Sequence, residues 1–114
     1  MRTFRQGEVV RLPFPYTDRE PRQHRPALVV SRGAVGERHG LLWVVMITSA
    51  ANRGWSGDVP LGDDFAQAGL PVPSVVRPSK IATVEARHVD RIGELPGELW
   101  SDVESALRSN LGFD

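Results

Sequence analysis

Hydrophobic and polar residues alternate along the front of this chain in short runs that predict strands, and the helical period appears only at its end. Glu8-Val-Val-Arg-Leu-Pro13 alternates as a first strand and stops at Pro13-Phe-Pro-Tyr16. Thr17 to His24 is polar, Arg-rich and without period, which predicts a loop. Arg25-Pro-Ala-Leu-Val-Val-Ser31 is a second strand, with Pro26 at its beginning where a missing N–H is tolerated. Gly33 to Gly40 supplies a turn, and Leu41 to Thr48 follows as a strand apolar on both faces, hence central in a sheet.

After the turn-rich Asn52-Arg-Gly-Trp-Ser-Gly57 come a short edge segment, Asp58 to Leu61, and a loop around Gly69 to Pro73. Ser74 to Ile81 and Ala82 to Val84 make one or two further strands, and Arg91 to Glu94 a last short one. Leu99, Trp100, Val103, Ala106, Leu107 and Leu111 fall at spacings of one, three and four, the stripe of an amphipathic helix. Pro96 suits its first turn and Gly112 its C-terminal cap. Short strands followed by one helix predict a small twisted barrel with a helix packed on it. Trp43 and Trp100, on an apolar strand and an apolar helix face, are expected in the core.

At 114 residues the chain is expected to form one domain, residues 1–114. It has no cysteine, which removes disulfides, thiolate metal sites and a cysteine nucleophile. The longest apolar run, Leu41 to Ile47, is too short to cross a bilayer, and the first residues lack the apolar core of a secretion signal. A cytoplasmic protein without a membrane partner is the expectation. The net charge is zero, but residues 1–40 hold eight Arg against four acids, and residues 41–114 hold six basic against ten acidic groups. Thirteen of the fourteen basic residues are Arg, the side chain whose fork matches phosphate oxygens.

His24, His39 and His88 are isolated, no ligand spacing points to a metal, and neither a phosphate loop nor a nucleophile elbow is present. No cofactor is expected. If the second and third predicted strands pair through the Gly33–Gly40 turn, the Arg25 guanidinium comes near the hydroxyls of Thr48 and Ser49. A fixed cation beside hydroxyls suits the non-bridging oxygens of a phosphodiester. The plain alternative is a strand-end charge in water, or one paired with Asp18 or Glu20.

The ordered set Gly7-Glu-Val-Val, Pro13-Phe-Pro, Arg25-Pro-Ala-Leu-Val-Val-Ser31, Ile47-Thr-Ser49, Asp58-Val-Pro-Leu61, Gly69-Leu-Pro71, Ser74-Val-Val-Arg77 and Lys80-Ile-Ala-Thr-Val84, with the closing helix, resembles the MazF/PemK family of toxins. The resemblance spans nearly the whole chain. It implies a mainly β fold with a C-terminal helix, the SH3-like twisted β-barrel of the MazF/PemK/CcdB type. It further implies a homodimer that cuts single-stranded RNA without a metal, in a sequence-selective way, and is neutralised by a cognate antitoxin. The family's catalytic Arg falls on Arg25 and its catalytic Thr or Ser on Thr48. Its substrate- or antitoxin-holding loop corresponds to Tyr16 through His24. One departure is Glu8, where members commonly carry Asp, a position expected to be structural.

In such a reaction the 2′-hydroxyl attacks the adjacent phosphorus, leaving a 2′,3′-cyclic phosphate and a 5′-hydroxyl. Arg25 would neutralise the charge that builds on the phosphate and Thr48 would position it, roughly 2–4 kcal/mol for a well-placed donor. Arginine stays protonated, so proton transfer turns attention to His24, then to Glu20, with Ser49 as further support. Tyr16, Arg32 and Trp55 are candidates for stacking splayed bases. Asp18, Arg19, Arg22, Pro26, Ser31, Arg77, Ser79 and Lys80 are candidates for other RNA contacts. The rival is a gyrase poison of the CcdB type on the same barrel, which would use a C-terminal aromatic hook such as Phe113 and have no need of the Arg25–Thr48 pair.

Overall fold

The computed structural model describes residues 3–14 and 23–113. Six strands occur in chain order: β1 Glu8–Phe14, β2 Gln23–Val29, β3 Leu41–Ser49, β4 Val59–Pro60, β5 Ser74–Glu85 and β6 Asp90–Glu94. One helix, α1 Gly97–Leu111, follows them. The strands form one antiparallel sheet in the order β4-β5-β3-β2-β1-β6, curled into an open half-barrel. β3 lies inside the sheet between β2 and β5, as its unbroken apolar run requires. The loop expected from Thr17 ends sooner than its polarity suggested, because Gln23 and His24 pair with Phe14 and Pro13 as the start of β2. Ladder hydrogen bonds outweigh the polar character of those two residues.

Because the sheet curls, both of its faces carry a core. On one side Val9, Leu28, Val45, Ile47, Val76 and Leu95 pack with Val103 of α1, and Leu99, Trp100 and Leu107 close over them. On the other side Phe4, Val10, Leu12, Ala27, Val29, Leu42, Val44, Met46, Val84 and Val89 pack together inside the curl. Pro96 precedes the helix as its N-cap, one residue earlier than its expected place in the first turn. Gly112 ends α1 in the left-handed conformation at φ 82, and the Gly112 and Phe113 N–H groups donate to Ser109 and Arg108 carbonyls. This double closure is the Schellman arrangement that glycine permits.

One core expectation fails, while Trp100 packs against the core as expected. Trp43 is 49% exposed, since α1 covers the β3–β5 surface only in part and leaves this end of it open. Leu111, in the last turn of α1, is exposed with it. Phe113 is exposed too, so the backbone closes the helix without a buried aromatic cap.

β5 runs as one strand of twelve residues, interrupted by an irregularity. Val45 faces Ile81 while its neighbour Met46 faces Arg77, so Pro78, Ser79 and Lys80 loop out of the ladder. Pro78 has no N–H to give to β3, which is the local reason for the break. Glu8 is buried and accepts from the Arg5 backbone N–H at 2.9 Å and from Arg91 Nε at 2.7 Å. The carboxylate thus ties the start of β1 to β6, the structural role expected of it.

The backbones of Ala68-Gly69 and Ile92-Gly93 press directly on one another. A Cβ on Gly93 would lie 2.1 Å from the Ala68 carbonyl oxygen, and one on Gly69, at φ +84, 2.1 Å from that of Ile92. No side chain fits either place without moving backbone. Gly93→Ala is expected to cost about 2 kcal/mol or more and to lower Tm by roughly 10 °C. Urea and thermal unfolding measure this, and an unchanged midpoint would contradict the packing described.

Candidate active site

The pairing of β2 with β3 decides what meets at the open end of the hairpin. Ala27 faces Met46 in the ladder, and two residues further along each strand Arg25 comes level with Thr48. Side chains alternate across a strand, so Arg25 and Thr48 share the face carrying Ala27 and Met46. They line one shallow pocket of ≈ 40 Å³ together with Met46, Ile47, Arg77 and Lys80. A guanidinium and a threonine hydroxyl therefore line one pocket in the fold.

Thr48 is itself held. Asn52 Nδ2 donates to Thr48 Oγ1 at 2.6 Å, which fixes the side chain and leaves the hydroxyl hydrogen to be donated. Ser49 projects from the opposite face of β3, and its Oγ accepts the Ala51 N–H at 3.1 Å. It supports the turn after β3 and stands away from the pocket.

Arg77 occupies the pocket wall under strong constraint. Val59 faces Val76 in the β4–β5 ladder, which sets Asp58 opposite Arg77 one residue on. Arg77 Nε and Nη2 each donate to the Asp58 carboxylate at 3.0 Å, and Nη2 also donates to the Arg53 carbonyl at 2.9 Å. The second Asp58 oxygen accepts the Trp55 N–H at 2.9 Å. The guanidinium carbon lies 4.2 Å from the centre of the Trp55 ring, a cation–π distance. The two charged side chains are only 9% and 11% exposed. Hydrogen bonds from Arg77 hold the Asp58 carboxyl below its ordinary value; burial opposes this, and the Trp55 N–H reinforces it.

The other expected site residues divide by position. Lys80 lines the pocket, whereas Ser79 faces a groove shared with Leu107 and Leu111 of α1. His24 and Pro26 flank Arg25 in β2 and point to the opposite face, so neither joins Thr48. Ser31 is buried at the far end of the hairpin, where its hydroxyl donates to Gly33 O at 2.6 Å and accepts the Trp43 N–H. It is a turn-closing residue, and exposed Arg32 beside it is likewise remote from the pocket. Trp55 is exposed as expected, in contact with Arg77. Tyr16, Asp18, Arg19, Glu20 and Arg22 lie outside the described residues.

Asn52 and Asp58 were not anticipated. Asn52 reads as an ordinary turn residue four positions after Thr48, and the partner of Asp58 is nineteen residues away in sequence, visible only through the β4–β5 register. Among the described residues no group of three or more His, Asp or Glu side chains is placed to hold a metal ion, and no helix is long and apolar enough to cross a membrane.

The model of the PemK-like, MazF-like toxins of type II toxin–antitoxin systems matches residues 5–111. The chain belongs to this family. It is similar over its full length to a MazF from Deinococcus radiodurans solved as a MazE–MazF complex, with 27% identity, a TM-score of 0.77 and all of that chain covered. A MazF from the same organism solved without MazE is 28% identical over 98% of this chain and 99% of that one, with a TM-score of 0.76. A mycobacterial endoribonuclease in complex with its cognate antitoxin, at 22% identity and a TM-score of 0.74 over 96% of each chain, shares the fold. No curated protein matches the chain. Nothing in these likenesses favours the gyrase-binding alternative.

The Asp58–Arg77 pair makes a specific prediction about pH. A carboxyl held below its ordinary value in the folded state stabilises the fold above the unfolded value, and that contribution is lost as pH falls through the folded value. Asp58→Asn is therefore expected to cost about 2–3 kcal/mol at neutral pH, somewhat under the figure for a fully buried pair because water reaches the rim. The gap from the wild type should narrow as pH drops below about 4. Urea titrations at several pH values read it directly; a gap that stays constant to pH 2 would show that the charge contributes nothing.

Proposed function

We propose that this toxin is a metal-independent endoribonuclease that cleaves single-stranded RNA at selected sequences, with Arg25 and Thr48 acting on the scissile phosphate. The observation that supports this most directly is the pocket that those two side chains line together. RNA carries its own nucleophile. The 2′-oxygen forms a bond to phosphorus, the bond to the 5′-oxygen breaks, the 2′-hydroxyl proton is released and the departing oxygen gains one. Arg25 neutralises the charge that grows on the non-bridging oxygens, and the hydroxyl of Thr48, oriented by Asn52, donates to one of them. The described lining residues supply charge and position; none of them is a carboxylate or an imidazole.

The protein is expected to work as a homodimer in the cytoplasm, opposed by an antitoxin whose acidic segment crosses the basic N-terminal half and the groove. A dimer surface is suggested by the open end of the helix-bearing face. There Trp43, Ile81 and Leu111, all exposed, line an apolar groove of ≈ 390 Å³ with Ala82 and Thr83. Three large apolar side chains gathered in one depression suit a self-complementary contact about a two-fold axis. Ile81 adjoins Lys80 of the pocket, so a second copy seated there lies beside the active site.

Purified protein in EDTA is expected to cut single-stranded RNA at a short recurrent sequence and leave 5′-hydroxyl ends. Arg25→Ala should lower the rate at least about 100-fold with the fold intact. Wild type that leaves RNA whole would refute the proposal. In sedimentation the wild type should be dimeric at micromolar concentration and Ile81→Glu monomeric; a monomeric wild type would reject the surface.

A further inference from the structure

Arg77 has more hydrogen-bonding capacity than the fold consumes. Its Nε and Nη2 are taken by Asp58 and the Arg53 carbonyl, and one face of the guanidinium lies against Trp55. Nη1, with two N–H donors, makes no hydrogen bond among the described residues. No described buried side-chain nitrogen or oxygen is left without a partner, so Nη1 is not sealed off from solvent. Arg77 lines the same pocket as Arg25 and Thr48. Three of the constraints on this guanidinium, two carboxylate bonds and one carbonyl bond, fix the plane in which the free edge points.

We infer that Asp58 is a positioning residue: by holding Arg77 from behind, it presents Nη1 to the phosphate oxygen that Arg25 and Thr48 also contact. The inference rests on the ribonuclease reading above. The size of the pocket supports one shared target. At ≈ 40 Å³ it has room for a few water-sized atoms, a scale that suits a phosphate oxygen. Preorganised donors act because they need no rearrangement as charge develops. An unheld arginine would have to give up rotamer freedom on each encounter, and Asp58 removes that cost in advance. Asp58 itself contributes no donor to substrate. The Trp55 N–H on its second oxygen and the Trp55 ring over Arg77 close the arrangement, so that the loop between β3 and β4 braces the wall of the pocket.

The test combines single-turnover cleavage of a single-stranded RNA with binding of the same sequence as 2′-fluoro RNA, which lacks the nucleophile. Asp58→Asn keeps the size of the side chain and turns one acceptor into a donor facing a donor. It should slow cleavage about 10- to 100-fold while affinity for the 2′-fluoro RNA changes less than about 3-fold. Asp58→Glu, which restores the carboxylate, should recover part of the rate. Arg77→Ala should be as slow as Asp58→Asn. The double variant Asp58→Ala with Arg77→Ala, which leaves no buried charge unpaired, should be no slower than Arg77→Ala alone.

All rates are read well below each variant's Tm. Asp58→Asn cleaving at the wild-type rate, or losses that multiply in the double variant, would overturn the inference while leaving the ribonuclease reading in place. A loss confined to binding would overturn it in the same way. A wild type inert toward RNA would overturn both.

Discussion

The antiparallel register between β2 and β3 is the constraint on which the rest depends. Ala27 opposite Met46 brings Arg25 level with Thr48, and a slip of one residue would send one of the two to the other face of the sheet. The register is held by burial rather than by the turn. Leu28 and Val45 lie in the core under the helix, and Ala27, Val29, Val44 and Met46 in the core inside the curl. The observed ladder sets Ala27 opposite Met46, Leu28 opposite Val45 and Val29 opposite Val44, so that each of the six residues is in one of the two cores. The stability of the barrel and the geometry of the pocket are consequently one property.

A second constraint acts across the sheet. The buried Asp58–Arg77 pair is a poor device for stability alone, because removing two charges from water offsets much of their attraction. Its position suggests why it is worth keeping: the cation it fixes stands in the wall of the Arg25–Thr48 pocket. A chain of zero net charge cannot draw RNA by its overall field. Arg25, Arg77 and Lys80 instead gather around one small depression, with the Asp58 carboxylate balancing Arg77 from behind.

Much of this was legible in the sequence, for reasons that differ by residue. The strands were visible because their patterns have period two or are apolar throughout, and α1 because its apolar residues keep to one stripe. Arg25 and Thr48 could be joined because a turn between two successive strands implies a hairpin, and a hairpin implies opposed ends. His24 and Ser49 adjoin Arg25 and Thr48 in sequence but not in the pocket, because adjacent residues in a strand face opposite ways. Ser31 misled because a hydroxyl at a strand end looks the same whether it closes a turn or meets a ligand. Trp43 sits on an apolar strand, yet the sequence does not say how far a fifteen-residue helix covers the sheet. Asp58, nineteen residues before its partner, could be found only once β4 was aligned beside β5.

The claim that Arg25 and Thr48 gather one RNA phosphate is tested most directly by nuclear magnetic resonance of the protein titrated with single-stranded 2′-fluoro RNA, which binds without being cut. The account predicts the largest changes at the side chains and amides of Arg25, Thr48, Asn52 and Arg77. Saturable binding that leaves those signals unmoved and shifts the surface around Trp43, Ile81 and Leu111 would contradict it.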